Sequence, residues 1–433
     1  ISDWIKKNLN YNSKSWEFDL TSKRIIAWLS NHSLTFEGSS KNYQNKFNRM
    51  VLKQTNHLMN EINKSKFVDD KVIGCAAIIL VGLCYKNENN LSYGLNLLKK
   101  ISKFSFDNYG FPRSRNIKQL VFYLKYFILI REWFKEAQVE TPEYINETIY
   151  YLGQGYAFIW QNIECDILMN GNNISNNSEF DHYLKRSGYK FKNENKEFGG
   201  YAILYDKKIS LVMDVGPSPS SKFSTNYQSG ALSFEISSNG KKLITNCGFH
   251  SNNTKLAELS RSTATHSTLV VDDNSSCHYK KINNKKYFIR DALRILKKNI
   301  IFEKNYWKIS AAHDGYQKQY NTIHEREIEF YPKQDKFVGT DKVLNKKNSR
   351  NLKFEIRFHF EPEIKLMKTQ DNKTILIKLE DEGWKFTCDK YDINIDNGLY
   401  FGNENYYIQN QNIFISGITN DKNENISWQL NKI

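Results

Sequence analysis

Ser229-Gly-Ala-Leu-Ser-Phe-Glu-Ile-Ser-Ser-Asn-Gly240, then Leu243-Ile-Thr-Asn-Cys-Gly248, then Arg261-Ser-Thr-Ala-Thr-His-Ser-Thr-Leu-Val-Val-Asp272 is the stretch on which the fold turns. Leu232, Phe234 and Ile236 alternate with polar neighbours, the two-residue period of a strand with one apolar face. Tyr201-Ala-Ile-Leu-Tyr205 and Ile209-Ser-Leu-Val-Met-Asp214 precede it as further strand-like runs. Phe354-Glu-Ile-Arg-Phe-His-Phe360 and Ile413-Phe-Ile-Ser-Gly417 carry it towards the C terminus. Many short strands without helical patterns between them predict a large antiparallel sandwich over residues 196–433.

Upstream the period changes. Apolar residues recur at helical spacing in Ile25, Ile26, Trp28 and Leu29, through Val72–Leu83, and through Leu95–Ile101. Leu120, Tyr123, Leu124, Phe127, Ile128 and Ile130 form a broad apolar stripe over Leu120–Trp133. Pro142 suits the first turn of a helix carrying Ile145, Ile149 and Leu152. Paired helices with short loops fit a bundle or an α/α toroid over residues 1–170. The polar run Asn170–Ser178 opens an expected linker, 171–195. The expected fold class is therefore α+β and multidomain, helices first and strands second.

A chain of 433 residues can hold two domains with sizeable cores. The formal net charge of +15 favours anionic partners, or simply reflects a Lys- and Asn-rich composition. No compact Lys/Arg run resembles a nucleic-acid arm, so no nucleic-acid partner is expected. Val72–Tyr85 is too short for a membrane span and suits a buried helix. Six cysteines show no C-x-x-C spacing, and buried free thiols are expected for most. No P-loop, dinucleotide fingerprint, nucleophile elbow or H-E-x-x-H motif occurs. The paired acids Glu179/Asp181 and Asp272/Asp273 read as solvated loop residues, not as a hydrolase pair.

The opening stretch resembles the C-terminal signature of the heparinase II/III-like polysaccharide lyases. Gly315-Tyr316, His324-Glu-Arg-Glu-Ile328, Gly339-Thr-Asp341 and Ile356-Arg-Phe-His-Phe-Glu-Pro362 extend the resemblance downstream, and Asn108-Tyr-Gly-Phe-Pro-Arg-Ser-Arg-Asn116 is similar to a turn between its toroid helices. The resemblance implies an α/α toroid, incomplete at its N terminus, followed by the β-sandwich. It implies β-elimination on a uronate-containing acidic polysaccharide, in a bacterial periplasm or cell envelope, with no soluble cofactor and an oligomeric state left open. Such a reaction needs donors to neutralise the substrate carboxylate and Tyr or His groups to move protons.

Arg113, Arg115 and Asn116 in the turn suit carboxylate recognition. Tyr123, a little beyond, matches the family's catalytic Tyr and equally fits the apolar stripe. Asn226-Tyr227-Gln228 stands where many members carry a catalytic His; Tyr227 offers a phenol and Asn226 or Gln228 an amide for the substrate carboxylate, or the segment is simply a loop leading into a strand. Arg261 suits a substrate or structural ion pair. His266 is a catalytic candidate or a hydrogen-bonded structural residue. In the family this His holds a structural metal with a His and an Asp, whose places here are Gln228 and Asn246. Their neutral oxygens are poor zinc ligands, so no metal is expected. The alternative to a lyase is a non-catalytic glycan-binding or envelope-assembly protein that keeps the fold.

Overall fold

The computed structural model describes residues 1–433 except 162, 164, 176, 207, 252, 283–285, 346–350, 404–405 and 420–422. The chain divides into two compact units: residues 1–111 with 119–153, and residues 112–118 with 154–433.

The first unit is helical. Val68–Cys84 is apolar on every side and buried from Val72 to Gly82, so it requires neighbours all round. Phe18–Ser30, Lys41–Glu61 and Glu88–Ser105 supply them. Gly82 is needed where the next helix crosses, because a Cβ there would lie 2.7 Å from the Leu91 backbone nitrogen. Side-chain caps fix two helix starts: Ser40 accepts from the Tyr43 N–H and Asn87 from the Asn90 N–H. Ile117–Glu136 and Glu143–Tyr156 follow, the second just after Pro142.

The second unit holds two large antiparallel sheets. Among the described residues one has nine strands, in the order Glu197–Phe198, Tyr201–Tyr205, Ile209–Asp214, Phe234–Ser238, Lys241–Thr245, Lys353–Phe360, Ile408–Ile418, Ile393–Tyr400; Leu269–Val271 also pairs with Lys353–Phe360. The other has eight: Lys365–Lys368, Thr374–Leu379, Glu382–Thr387, Glu424–Lys432, Lys336–Asn345, Thr322–Tyr331, Trp307–His313, Ile295–Phe302. Alternation decides the packing, since Lys336–Asn345 buries nearly every second residue. The inner faces meet at an aromatic stack. Trp428 of the eight-stranded sheet lies 5.6 Å from Phe234 and 5.0 Å from Phe358, both of the nine-stranded sheet. Gly339 leaves room for that indole, for a Cβ there would fall 2.0 Å from the Trp428 ring.

A polar network is buried in this sandwich, and it accounts for several of the motif residues. Arg326 is fully buried and donates to Asp341 from Nε at 2.7 Å and from Nη2 at 3.1 Å. Its Nη1 donates to the carbonyls of Leu232 and Ser267, tying the two sheets together. The Gly315 N–H donates to His313 Nδ1, so His313 donates from Nε2 to His324 Nδ1 at 3.2 Å. His324 in turn donates from Nε2 to Asp341 at 2.7 Å. Every charge and ring nitrogen of Arg326, Asp341, His324 and His313 has a partner, as burial demands.

Where a linker was expected, the structure differs. Ser178–Arg186 is a helix that buries Phe180 and Leu184. Asn170, Asn172 and Asn173 are buried, and the amides of Asn170 and Asn173 reach distant groups: Asn170 Nδ2 donates to Tyr201 Oη (2.8 Å) and Asp214 (3.0 Å), and Asn173 Nδ2 to the carbonyls of Phe249 (2.6 Å) and Phe401 (2.7 Å). A polar run reads as solvated by composition, but these amides are fastening points.

Candidate active site

The turn carrying Arg113, Arg115 and Asn116 belongs to the β unit by its contacts. Arg115 takes a left-handed backbone conformation, φ +60°, and its side chain is buried. All its donors are used within the fold: Nε to Gly199 O (3.2 Å), Nη1 to Pro217 O (3.1 Å), Nη2 to Gly200 O (2.9 Å) and to Asp214 Oδ1 (2.6 Å). This guanidinium is an anchor for the turn and is not presented to a ligand. Arg113 is exposed, and Asn116 is buried beside it.

Gly171 is the point of convergence. A Cβ on Gly171 would lie 2.7 Å from Asn116 Nδ2 and 2.7 Å from Asn226 Cβ, so these two residues crowd against its open face. Gln228 accepts from the Gly171 N–H at 2.9 Å. Asn226 is half-buried, which leaves it reachable from solvent. Three of the expected polar positions are thus brought together: Asn116, Gln228 and the Asn226 that precedes it.

Gln228 and the remaining candidates are buried. Gln228 is wholly buried and also donates to Gly248 O (2.8 Å) and Ser260 O (2.6 Å), so its amide is saturated. Tyr227 packs in an apolar cluster with Ala231, Cys277, Ile289 and Leu293, its hydroxyl against the Cys277 thiol. Burial raises this phenol well above its ordinary value. Arg261 lies between the Phe249 and Tyr287 rings, at 4.7 and 4.5 Å, and donates to Ala257 O and Thr225 O. In the helical unit, Tyr123 is buried and donates to Asp69 Oδ1 at 2.7 Å, with Gln119 donating to the same carboxylate. Burial raises the Asp69 carboxyl and raises the Tyr123 phenol further.

His266 is buried and donates from Nδ1 to Ser262 O at 2.8 Å, leaving Nε2 as a bare acceptor without a partner. Burial lowers its pKa to about 4, so the ring is neutral at pH 7. The residues at the family's metal positions do not fit a cation. Asn246 Oδ1 accepts from the Ser267 N–H at 2.9 Å while Nδ2 donates to Glu235 at 3.0 Å, and Gln228 is saturated as described. Among the described residues no group of three or more His, Cys, Asp or Glu side chains is placed to hold a metal ion. Two carboxylates missed at the level of sequence organise this region. Asp214 holds Arg115 and Asn170, and Glu235 holds Lys242, Asn246 and the Leu168 N–H. Both sit on strands among apolar neighbours, a placement that in itself signals a buried, partnered acid.

Comparison with known proteins follows this geometry. Residues 195–429 match the sequence profile of the family described as Heparinase II/III-like, C-terminal. FtsZ-localized protein C of Caulobacter vibrioides (strain NA1000 / CB15N) is 24% identical over 245 residues; the match takes in 54% of this chain and 42% of that protein, so the chain spans less than half the length of this curated relative. The solved heparan sulfate lyase HepC of Pedobacter heparinus superposes with a TM-score of 0.72 at 14% identity, over 100% of this chain and 71% of that one. A heparinase III gene product gives 0.78 at 15% identity, over 100% and 73%. At such identities the likeness is one of fold: helices of a toroid followed in the chain by an antiparallel β-sandwich.

Proposed function

We propose, on the premise that this chain belongs to the heparinase II/III-like, C-terminal family, that it is a lyase cleaving a uronate-containing acidic polysaccharide by β-elimination. The supporting observation is the meeting of Asn116 and Asn226 at Gly171, on the turn that exposes Arg113. Neutral amide donors and a guanidinium suit a uronate carboxylate. Holding it stabilises the enolate-like charge that develops when the neighbouring C–H proton leaves. Tyr123, in the helical unit, is the phenol whose role in proton transfer the Tyr123→Phe variant tests; its hydroxyl donates to Asp69 Oδ1 at 2.7 Å. Arg115, Gln228, Arg261, Tyr227 and His266 then serve as the frame that fixes the loop and the turn. The chain's net positive charge favours an acidic glycan over a neutral one at this site. A periplasmic or envelope location follows from where such glycans are met; no helix among the described residues is long and apolar enough to cross a membrane.

The test is ultraviolet absorbance from an unsaturated uronate product. The protein is incubated with alginate, heparin-like and chondroitin-like polysaccharides, and Tyr123→Phe and Asn226→Ala are run beside it. Turnover on one substrate that is lost in both variants supports the assignment, and silence on all of them sinks it.

A second function is favoured by one specific observation: both candidate phenols, Tyr123 and Tyr227, are buried. A non-catalytic glycan-binding or envelope-assembly protein would need neither. Binding of an acidic polysaccharide without product, unchanged in Tyr123→Phe, would select it.

A further inference from the structure

The β unit has a second concavity, a groove of about 650 Å³ that shares none of the residues discussed above as catalytic or carboxylate-binding. Trp160 enters it from the π-helical turn Ala157–Gln161, a distortion frequent at functional sites. Ile174 and Ile408, 54% and 44% exposed, line it with apolar surface open to solvent. Four lysines and four carboxylates share the lining, so the groove is formally neutral in a chain of net charge +15.

At the floor the charges are already matched. Lys242 donates to Glu235 at 2.9 Å and to the Asp166 carbonyl. The Asp166 carboxylate accepts from the Ser175 N–H (2.9 Å) and hydroxyl (3.0 Å). Lys241 pairs with Glu380 at 3.0 Å. Tyr400 donates to Glu361 Oε1 at 2.7 Å. Glu361 Oε2 is different: it is buried and, among the described residues, has no hydrogen-bond partner. Burial raises this carboxyl above its ordinary value, with Lys242 pulling the other way. Protonated, Oε2 donates; ionised, it accepts.

These features select a ligand class. A buried polar atom without a partner is costly, and a ligand hydroxyl relieves that cost without bringing in a charge. An anionic ligand would meet Asp166 and Glu361, and a cationic one would meet Lys241 and Lys242. An indole beside polar groups matches a sugar ring, whose C–H face packs on the aromatic surface while its hydroxyl edge reaches the acids. A volume of this size suits a small ligand of a few rings. We propose that this groove binds a neutral, hydroxyl-rich saccharide, with a sugar face on Trp160 and a hydroxyl on Glu361 Oε2. The inference is independent of turnover at the Asn116–Asn226 cluster and gives the protein a separate hold on a glycan.

The experiment is calorimetric titration of the whole chain with cellohexaose, maltohexaose and xylohexaose, with an oligogalacturonate as the acidic comparison. At least one neutral hexasaccharide is expected to bind in the micromolar to millimolar range. Trp160→Ala and Glu361→Leu should each weaken it about tenfold or more, a difference of about 1.4 kcal/mol. Glu361→Gln keeps a donor and an acceptor and should stay within about threefold, about 0.65 kcal/mol. Ile408→Arg changes an exposed rim position, leaves the core intact, and should block entry even if Trp160→Ala fails to fold. Binding of no neutral hexasaccharide overturns the proposal. So does binding indifferent to Ile408→Arg, or a Glu361→Gln loss as deep as that of Glu361→Leu, which would mark a cation site. The absorbance assay for lyase activity is read separately, so either function can fail without the other.

Discussion

Replacing Asp341 by Asn probes the charge network between the two sheets. The two oxygens of Asp341 accept four hydrogen bonds: from Arg326 Nε (2.7 Å) and Nη2 (3.1 Å), His324 Nε2 (2.7 Å) and Trp428 Nε1 (3.0 Å). Asn preserves the shape, but its amide nitrogen must face one of these donors and the counter-charge is gone. Arg326 is then a fully buried cation without its counter-charge, holding only neutral acceptors, and breaking a buried pair in this way costs about 3–5 kcal/mol. At about 2–4 °C per kcal/mol for a unit of this size, Tm should fall by roughly 10 °C. Burial alone would raise the Asp341 carboxyl, but Arg326 and His324 outweigh it and hold it well below the usual carboxylate range. A depressed carboxylate stabilises the fold above its unfolded value, 3.8, and that contribution is lost as pH falls through the folded value. Asp341→Asn should therefore flatten the stability profile at strongly acid pH as well as lower it at pH 7. Urea unfolding followed by near-ultraviolet circular dichroism measures both. Combining Asp341→Leu with Arg326→Met leaves no charge behind and should cost less than Asp341→Asn alone. A loss under about 1 kcal/mol for Asp341→Asn, the size of an ordinary hydrogen bond, would refute the reasoning.

Other outcomes follow from single contacts. Gly339→Ala drives a methyl group into the Trp428 ring and should destabilise by about 1–3 kcal/mol, with Trp428→Leu in the same chain recovering part of the loss on a thermal melt. His266, lowered by burial to about 4, folds as the neutral ring; its contribution is intact above the unfolded value of 6.5 and declines as pH falls from there towards 4. His266→Gln should remove up to roughly 3 kcal/mol of that slope in urea midpoints taken across this range. Because Gln228 and Asn246 spend their amide atoms on protein partners, a chelator should leave Tm unchanged, and elemental analysis of Zn-soaked protein should find no stoichiometric metal. The Gln228→His, Asn246→Asp double variant, which supplies better ligands near His266, should by contrast gain zinc on the same measurement.

The strands were legible because alternation records burial directly: Leu232, Phe234 and Ile236 face the core as their spacing predicts. The helix Val68–Cys84 was legible for the complementary reason, an apolar surface on every side. The site was legible only in outline. Asn116 lies far in sequence from Asn226 and Gln228, and their meeting is at Gly171, a residue with no chemistry of its own. Arg115 and Arg261 have the side chain of a carboxylate clamp, yet Arg115 is spent on Asp214 and three backbone carbonyls and Arg261 donates to the carbonyls of Ala257 and Thr225. Sequence shows which donors exist; only the fold shows which are already spent. The same limit explains the run 170–173, where composition suggested solvent and long-range amide bonds produced burial.

The order of strands in the eight-stranded sheet also governs how the molecule comes into being. Glu424–Lys432, the latest strand in the chain, lies between Glu382–Thr387 and Lys336–Asn345, and Trp428 on it fills the aromatic stack. A nascent chain that has reached residue 420 thus has two half-sheets with raw facing edges and a hole where the indole belongs. Such edges invite pairing with other chains, and non-local closure of this kind is slow. The sandwich is therefore an assembly completed by its final stitch, and the interval before that stitch is the stage at which a cell producing this protein needs a chaperone most.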